Sequence, residues 1–256
     1  ELPDKIEHIE YLDMSEKEKA LYQSLVEETK KEFNEVVISE GFSKARFKIV
    51  TLLTRLRQLC ISPRLLDETY QEESVKVKRL LDIIKELIKE KHKILIFSAF
   101  KSAVYLVKEA LDRESISNYV IDGSVKGRDR VAMVEAFNKD KTSCFLITLK
   151  SGGTGLNLTS ADVVIHLDVW WNPQVENQAT DRAHRIGQTK KVTVLKLINK
   201  GTVEEKIIEL QEKKRVLSDN LIDGKNVATL GTLTEDELTN LLSIGYETDK
   251  DLEANN

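Results

Sequence analysis

The sequence predicts an α/β fold in which a parallel sheet is covered by helices on both faces. Three observations carry this reading. Five short apolar runs recur along the chain: Lys93–Ser98, Asn118–Ile121, Cys144–Thr148, Asp162–Leu167 and Val192–Ile198. Each has the length of a strand and falls short of a buried helix. Helical patterns near residues 101–114, 127–138 and 172–186 sit between most of them. Apolar runs alternating with helices indicate parallel strands buried on both faces. Finally, 256 residues supply core enough for one or two domains.

Taken in order, residues 1–13 read as an extended segment with Ile6, Ile9 and Leu12 apolar. Ser15 opens a helix, because Glu18 stands three residues on and completes a capping box. Ala20, Leu21, Leu25 and Val26 continue its period. No acid occurs from Gly41 to Leu66, whereas Lys44, Arg46, Lys48, Arg55, Arg57 and Arg64 are basic. Ile49, Val50, Leu52, Leu53, Leu56 and Leu59 mark a second helix that stops near Pro63. Its basic side is either a solvated face or a surface for DNA phosphates. Residues 67–74 are polar and read as a linker; Val77, Leu80, Leu81, Ile84, Leu87 and Ile88 then give a long helix one apolar side.

In parallel sheets ligands bind beyond the carboxyl ends of the strands. Ser98, Asp122-Gly123 and the glycine loop Gly152, Gly153, Gly155 all fall there. The loop does not match a dinucleotide fingerprint, since Leu158 stands where a third glycine is required, although Asp168 follows the next strand as a ribose-binding acid would. A tight structural turn is one remaining reading. The other is a loop whose N–H groups approach phosphate. Asn172 and Pro173 cap and open the helix read over 172–186. On that helix Gln178, Arg182 and Arg185 fall at i, i+4 and i+7, hence on one face. Ala179, Ala183 and Ile186 form the packing face, and Gly187 ends the helix. Planar, permanently charged guanidinium groups suit phosphate or carboxylate. Further on, Thr202 with Glu205 and Thr234 with Glu237 mark two more capped helices. The stretch 223–232 is turn-rich, and 247–256 reads as disordered.

Composition narrows the classes. The net charge of −4 means that nucleic-acid binding must come from local patches. Cys60 and Cys144 lie in separate apolar runs and read as buried thiols of a reducing compartment. Four scattered histidines argue against a metal site, and no apolar run reaches membrane-spanning length.

The run LKSGGTGLNLTSADVVIHLDVWWNP followed by QATDRAHRIGQ resembles motifs V and VI of the SWI/SNF-like family, the duplex-DNA-translocating ATPases of helicase superfamily two. The resemblance covers roughly residues 10–245. It implies a RecA-like lobe at 75–201. It also implies a helical protrusion and linker at 1–74, and a brace helix with a helical tail at 202–256. It further implies that Arg182 and Arg185 are arginine fingers, and that Gly155, Asn157 and Gln178 lie on the nucleotide side. Lys150, Ser151, Gly152 and Gly153 match the DNA side of motif V, where many members carry Thr-Arg in place of Leu149-Lys150. ILIFSAF resembles motif IV and offers Ser98 and Lys101 to the DNA backbone; Trp170 and Trp171 of W-W-N-P read mainly as packing residues, and the resemblance implies a further DNA contact at Trp171. Asp122-Gly123-Ser124 with Arg130 resembles the motif that follows. His184 is read as a structural hydrogen-bonder.

The implied function is the C-terminal motor lobe of a DNA-dependent ATP hydrolase that uses ATP with Mg2+. Its implied partners are double-stranded DNA, an N-terminal RecA-like lobe and a protein cargo, with no membrane. The sequence holds no G-x-x-x-x-G-K-[ST] and no D-E-x-H box. The expectation is therefore a C-terminal fragment, inactive alone, from a bacterial, cytoplasmic, nucleoid-associated protein. The rival reading is a non-catalytic DNA- or protein-binding module that kept the fold.

Overall fold

The computed structural model describes residues 2–152, 155–220 and 234–242. Gly153 and the stretches 223–232 and 247–256 lie outside the described residues. The chain divides into two compact units, Glu1–Leu12 with Val75–Ile198 and Asp13–Ser74 with Asn199–Asn256.

The first unit is built on a six-stranded sheet. Its strands are β1 (Lys5–Leu12), β2 (Ile94–Ser98), β3 (Asn118–Ile121), β4 (Cys144–Thr148), β5 (Val163–His166) and β6 (Val192–Asn199). Their order is β1-β6-β5-β2-β4-β3. The ladders of β2 with β4 and β5, of β3 with β4 and of β5 with β6 are parallel. The extended segment read at the N-terminus thus becomes an edge strand of the sheet. Every residue of β2, β4 and β5 is buried, as expected of strands covered on both faces. In register, Ser98 faces Thr148 and Phe97 faces His166, so the central strands end nearly level. The core on one side gathers Leu95, Phe97, Phe137, Phe145, Val164 and Ala179.

The helices of this unit are α3 (Val75–Lys89), α4 (Lys101–Arg113), α5 (Gly127–Lys139), the single turn α6 (Leu149–Gly152) and α7 (Pro173–Thr180). Buried polar groups pin the strand ends. Lys76, on the first turn of α3, is buried and donates Nζ to the carbonyls of Leu167 at 3.1 Å and Leu197 at 2.9 Å. Asp162 stands just before β5. Its carboxylate takes the Lys93 N–H at 3.2 Å and lies 2.9 Å from His92 Nδ1 and 3.1 Å from Lys190 Nζ.

In the second unit, α1 (Glu16–Glu40) starts at the expected capping box: Ser15 Oγ accepts from Glu18 N, and the Glu18 carboxylate accepts from Ser15 N. Helix α2 (Phe42–Ile61) returns after Gly41, whose φ of +78° is a backbone conformation that favours glycine. Tyr22, Leu25 and Val26 of α1, and Ile49, Leu52, Leu53 and Leu56 of α2, are buried. The basic side of α2 is partly engaged within the hairpin. Lys48 lies 3.3 Å from Glu32 and Arg55 lies 3.8 Å from Glu28, while Arg57 is buried. Carbonyls at the end of α2 are capped by side chains: Ser74 Oγ donates to Ile61 and Asn199 Nδ2 donates to Cys60. Helices α8 (Val203–Asn220) and α9 (Glu235–Leu242) complete the unit. At α9, Thr234 and Glu237 form the expected reciprocal box. At α8 the expected box is altered. Thr202 Oγ1 accepts from Glu204 N, and the Glu205 carboxylate reaches Gly201 N instead of Thr202 N.

Candidate functional site

The site is assembled from two loops beyond the carboxyl ends of β4 and β5. The first runs from Leu149 to Leu158. Thr148 and Ser151 are joined hydroxyl to hydroxyl at 2.9 Å, which fixes the turn α6 onto β4. Gly152 is packed closely: a Cβ there would stand 2.8 Å from Cε1 of the Phe97 ring. Gly155 has φ +63°, with no atom within 4 Å of the place a Cβ would take. Lys150, Gly155 and Asn157 are exposed, and the Asn157 carbonyl accepts from Asn138 at 2.8 Å. With α5, the loop borders an open groove of about 710 Å³ walled by Val125, Val131, Val134, Leu156 and Asn157.

The second loop follows β5. Asn172 caps α7 through Gln174 N at 3.0 Å, with Pro173 at its first position, as the sequence requires. Glu176 is buried; one oxygen accepts Trp170 N at 2.6 Å and the other lies 2.7 Å from Lys196 Nζ. His166 is buried as well and meets the Thr180 hydroxyl at 3.1 Å. Burial, with Lys196 nearby, pulls the His166 pKa down to about 3, so the ring is neutral at ordinary pH.

The expected helix over 172–186 is corrected here: α7 ends at Thr180, and residues 181–187 form turns. The ladder breaks where Arg182 N turns to Ala179 and the Arg182 Nε takes the Gln178 carbonyl, and tertiary bonds hold the turn that follows. The Arg182 carbonyl, which would bond within a continuing helix, accepts Leu158 N at 2.9 Å. The Ala183 carbonyl is taken by Gln188 Nε2 at 3.1 Å. The N–H groups of Arg182 and Ala183 bond three residues back, to Ala179 and Thr180, which tightens the turn. Arg182 and Arg185 therefore stand on turns, and the regular i, i+4, i+7 face holds only up to Gln178. Gly187, at φ +103°, closes the turn instead of the helix.

Arg182 Nε donates to the Gln178 carbonyl at 2.9 Å, and Arg185 Nη1 reaches the Leu156 carbonyl at 3.4 Å. Both guanidinium-bearing residues are partly exposed, and Gln178 is exposed. The structure thus brings Arg182 and Arg185 beside Leu156 and Leu158, the run that contains Asn157.

The residues expected at DNA are placed differently from one another. Lys150 is exposed and Ser151 buried. Ser98 is buried with its hydroxyl bonded to Asp168 Oδ1 at 2.6 Å. Asp168 also accepts Ala99 N at 3.1 Å, so it ties β2 to the end of β5. Lys101 pairs with Asp122 at 2.8 Å, with most of its own side chain exposed. Asp122 is buried and also takes Tyr105 OH and both donors of Ser124. The Lys101 ammonium and Ser124 hold its pKa well below the usual carboxylate range. Trp171 is only 1% exposed, so its indole supports the corner from inside instead of facing a ligand. Trp170 is the more exposed of the pair.

Four further structural residues stand outside the expected site: Asp168, noted above only against a dinucleotide fingerprint, Gln188, the last residue of the quoted motif, and Glu176 and Lys196. Gln188 is buried; besides Ala183 it donates to Ala161, and its oxygen accepts from Thr189 N and Lys190 N. Asp168 and Glu176 lie close to W-W-N-P and Gln188 ends R-I-G-Q, whereas Lys196 lies within β6 beside neither motif.

The fold and the paired loops define the C-terminal lobe of a helicase-type ATPase. Residues 75–187 match the family model described as the helicase conserved C-terminal domain. An uncharacterised ATP-dependent helicase of Mycoplasma pneumoniae is 40% identical over 94% of this chain and 23% of its own length. The C-terminal domain of the Sulfolobus solfataricus SWI2/SNF2 ATPase is 31% identical, with 94% of this chain and 100% of that one covered, at a TM-score of 0.74. The core of that ATPase in complex with double-stranded DNA is 32% identical, with 95% of this chain and 51% of that one covered, at a TM-score of 0.76. The chain belongs to the SWI2/SNF2 ATPase family and corresponds to its C-terminal domain. It spans about a quarter of the length of the curated relatives it matches. Among the described residues no helix is long and apolar enough to cross a membrane.

Proposed function

We propose that this lobe completes the ATP site of a DNA-translocating motor by supplying Arg182 and Arg185 as arginine fingers. One observation carries the reading: the arginine turn and the glycine loop are bonded to each other, through Leu158 to Arg182 and Arg185 to Leu156. The loops that the resemblance assigns to ATP are thereby one unit. The exposed Gly155 and Asn157, with Gln178, offer polar and sterically open surface beside them. These residues suit the phosphate end of a nucleotide. ATP with Mg2+ would supply the transferable phosphoryl group, its metal held by the N-terminal lobe. Arg182 and Arg185 then hold positive charge where negative charge develops, a contribution worth about 10³–10⁵ in rate. Helicase-named relatives and a SWI2/SNF2 core solved with DNA support this.

On the DNA side, Lys150 and Lys101 would contact backbone phosphates, with Ser151 and Gly152 shaping the loop and Ser98 and Trp171 supporting it from within. In this reading residues 1–74 are the protrusion and linker, 75–201 the motor lobe, and 202–256 the brace and tail. Nucleotide-driven closure of two lobes would move the protein along the duplex, with a protein cargo as the object remodelled. The Mycoplasma relative supports a bacterial setting, and nucleoid association would follow from the DNA reading itself. The test is DNA-stimulated phosphate release by the full-length protein and its Arg182 and Arg185 variants. Turnover that survives loss of both arginines contradicts the reading.

A further inference from the structure

His184 stands between the two arginines, in the turn that follows α7. Its Nε2 lies 2.7 Å from the carbonyl oxygen of Pro3. A carbonyl only accepts, so Nε2 is the nitrogen that carries the proton in this contact. The next carbonyl, that of Asp4, accepts Val192 N at 3.0 Å, at the start of β6. Two consecutive carbonyls just ahead of β1 are therefore fastened, one to the arginine turn and one to the sheet. Pro3 has a fixed φ and restricts the residue before it to extended conformations, so this segment is stiff. Leu2 shares a groove of about 410 Å³ with Asp181, Arg182, His184, Arg185 and Ile186. Ile186 is 89% exposed, so the turn has no apolar anchor at its tip. Among the described residues of the glycine loop, Leu158 holds it by a backbone bond and Leu156 by a long guanidinium bond.

We propose that His184 is a positioning residue for Arg182 and Arg185, holding their turn through the segment that enters β1. The inference rests on the arginine-finger reading and deepens it. The two guanidinium groups take their places from residues 2–4 as well as from α7. Movement of the chain entering β1 is then transmitted directly to the phosphate-binding turn. A misplacement of about 1 Å at a catalytic group can cost about 10²-fold in rate, so one hydrogen bond is enough to matter.

The test compares His184→Ala, His184→Gln and Arg185→Ala in the full-length protein. The readouts are DNA-stimulated turnover, DNA affinity, thermal stability and hydrogen exchange of amides 182–188. His184→Ala is expected to lower kcat by roughly 10- to 100-fold with KM for ATP and DNA affinity nearly unchanged. His184→Gln carries an amide N–H that can reach the Pro3 carbonyl. It is expected to restore most of kcat and the exchange protection that His184→Ala loses. If His184→Ala keeps its kcat while Arg185→Ala abolishes turnover, the inference falls and the arginine reading stands. Equal losses of kcat in the Ala and Gln variants, in step with equal losses of thermal stability, would show a purely structural histidine and also overturn it. If Arg185→Ala itself keeps turnover, the arginine reading falls and this inference with it.

Discussion

The carbonyl oxygen of Arg182 accepts the backbone N–H of Leu158 at 2.9 Å. Just past the end of α7, this bond joins the loop after β4 to the loop after β5. The arginines are therefore carried on turns bonded to their neighbours, and the site depends on the fit of two loops as much as on any side chain.

Gly152 shows how close that fit is. Gly152→Ala would bring a Cβ to 2.8 Å from the buried Phe97 ring. Overpacking of this kind costs about 1–3 kcal/mol. Chemical denaturation should show such a loss for Gly152→Ala and partial recovery in Gly152→Ala/Phe97→Leu. Unchanged stability of the single variant would mean that α6 shifts freely.

His166 makes stability depend on pH. Its folded pKa, about 3, lies below the 6.5 of an unfolded histidine. Between those values the unfolded chain binds more protons, so stability falls as pH drops below about 6.5, with a limiting slope of about 1.4 kcal/mol per unit. Asp122 adds its own loss only at lower pH. Its folded pKa is depressed, so its contribution is present above the unfolded value of 3.8 and is lost below it. His166→Gln should flatten the curve between pH 6.5 and 5. An equal slope in the variant would place the titrating group elsewhere.

The chain alone should bind duplex DNA weakly and with little sequence preference, because phosphate contacts position a protein without reading bases. Lys150 is exposed, and Lys101 keeps most of its side chain exposed while paired with Asp122, so a phosphate can approach its ammonium. With roughly three to five phosphates neutralised, log K should fall against log salt with a slope of about −3 to −5. An affinity indifferent to salt would contradict the proposed interface.

The chain alone should also fail to turn over ATP. Arginine fingers stabilise charge but do not cradle the β-phosphate, and the sequence holds no Walker loop. Phosphate release measured with saturating duplex DNA should stay at background. Turnover of about one per second or more, the range of phosphoryl-transfer enzymes, would show a complete site within these residues.

Much of this was legible in the residues. Asn118–Ile121 and Cys144–Thr148 form strands with the bounds their apolar runs suggest; in Cys144–Thr148 burial on both faces leaves no polar position to blur the ends, whereas Asn118–Ile121 is a partly buried edge strand. Ser15 with Glu18 and Asn172 with Pro173 act as caps, because capping is local chemistry. The end of α7 was not legible. Ala179, Ala183 and Ile186 keep a helical period through the turn, and the bond from Leu158 that helps hold the turn joins residues far apart in sequence. For Trp171 the packing role expected of it agrees with its burial. Nothing in the sequence singles out Lys76 or Glu176, yet both are buried, and Lys76 bonds a carbonyl that only the fold brings near.

The central claim is that Arg185 acts on the transition state and not on DNA. Arg185→Ala in the full-length protein tests it most directly, with steady-state ATPase and DNA-binding assays on the same purified variant. The account predicts that kcat falls by about 10³-fold or more while DNA affinity stays nearly unchanged. Arg185→Lys should recover little, because an ammonium lacks the bidentate fork. Loss of DNA affinity in proportion to activity would instead make Arg185 a DNA-gripping residue and contradict the account.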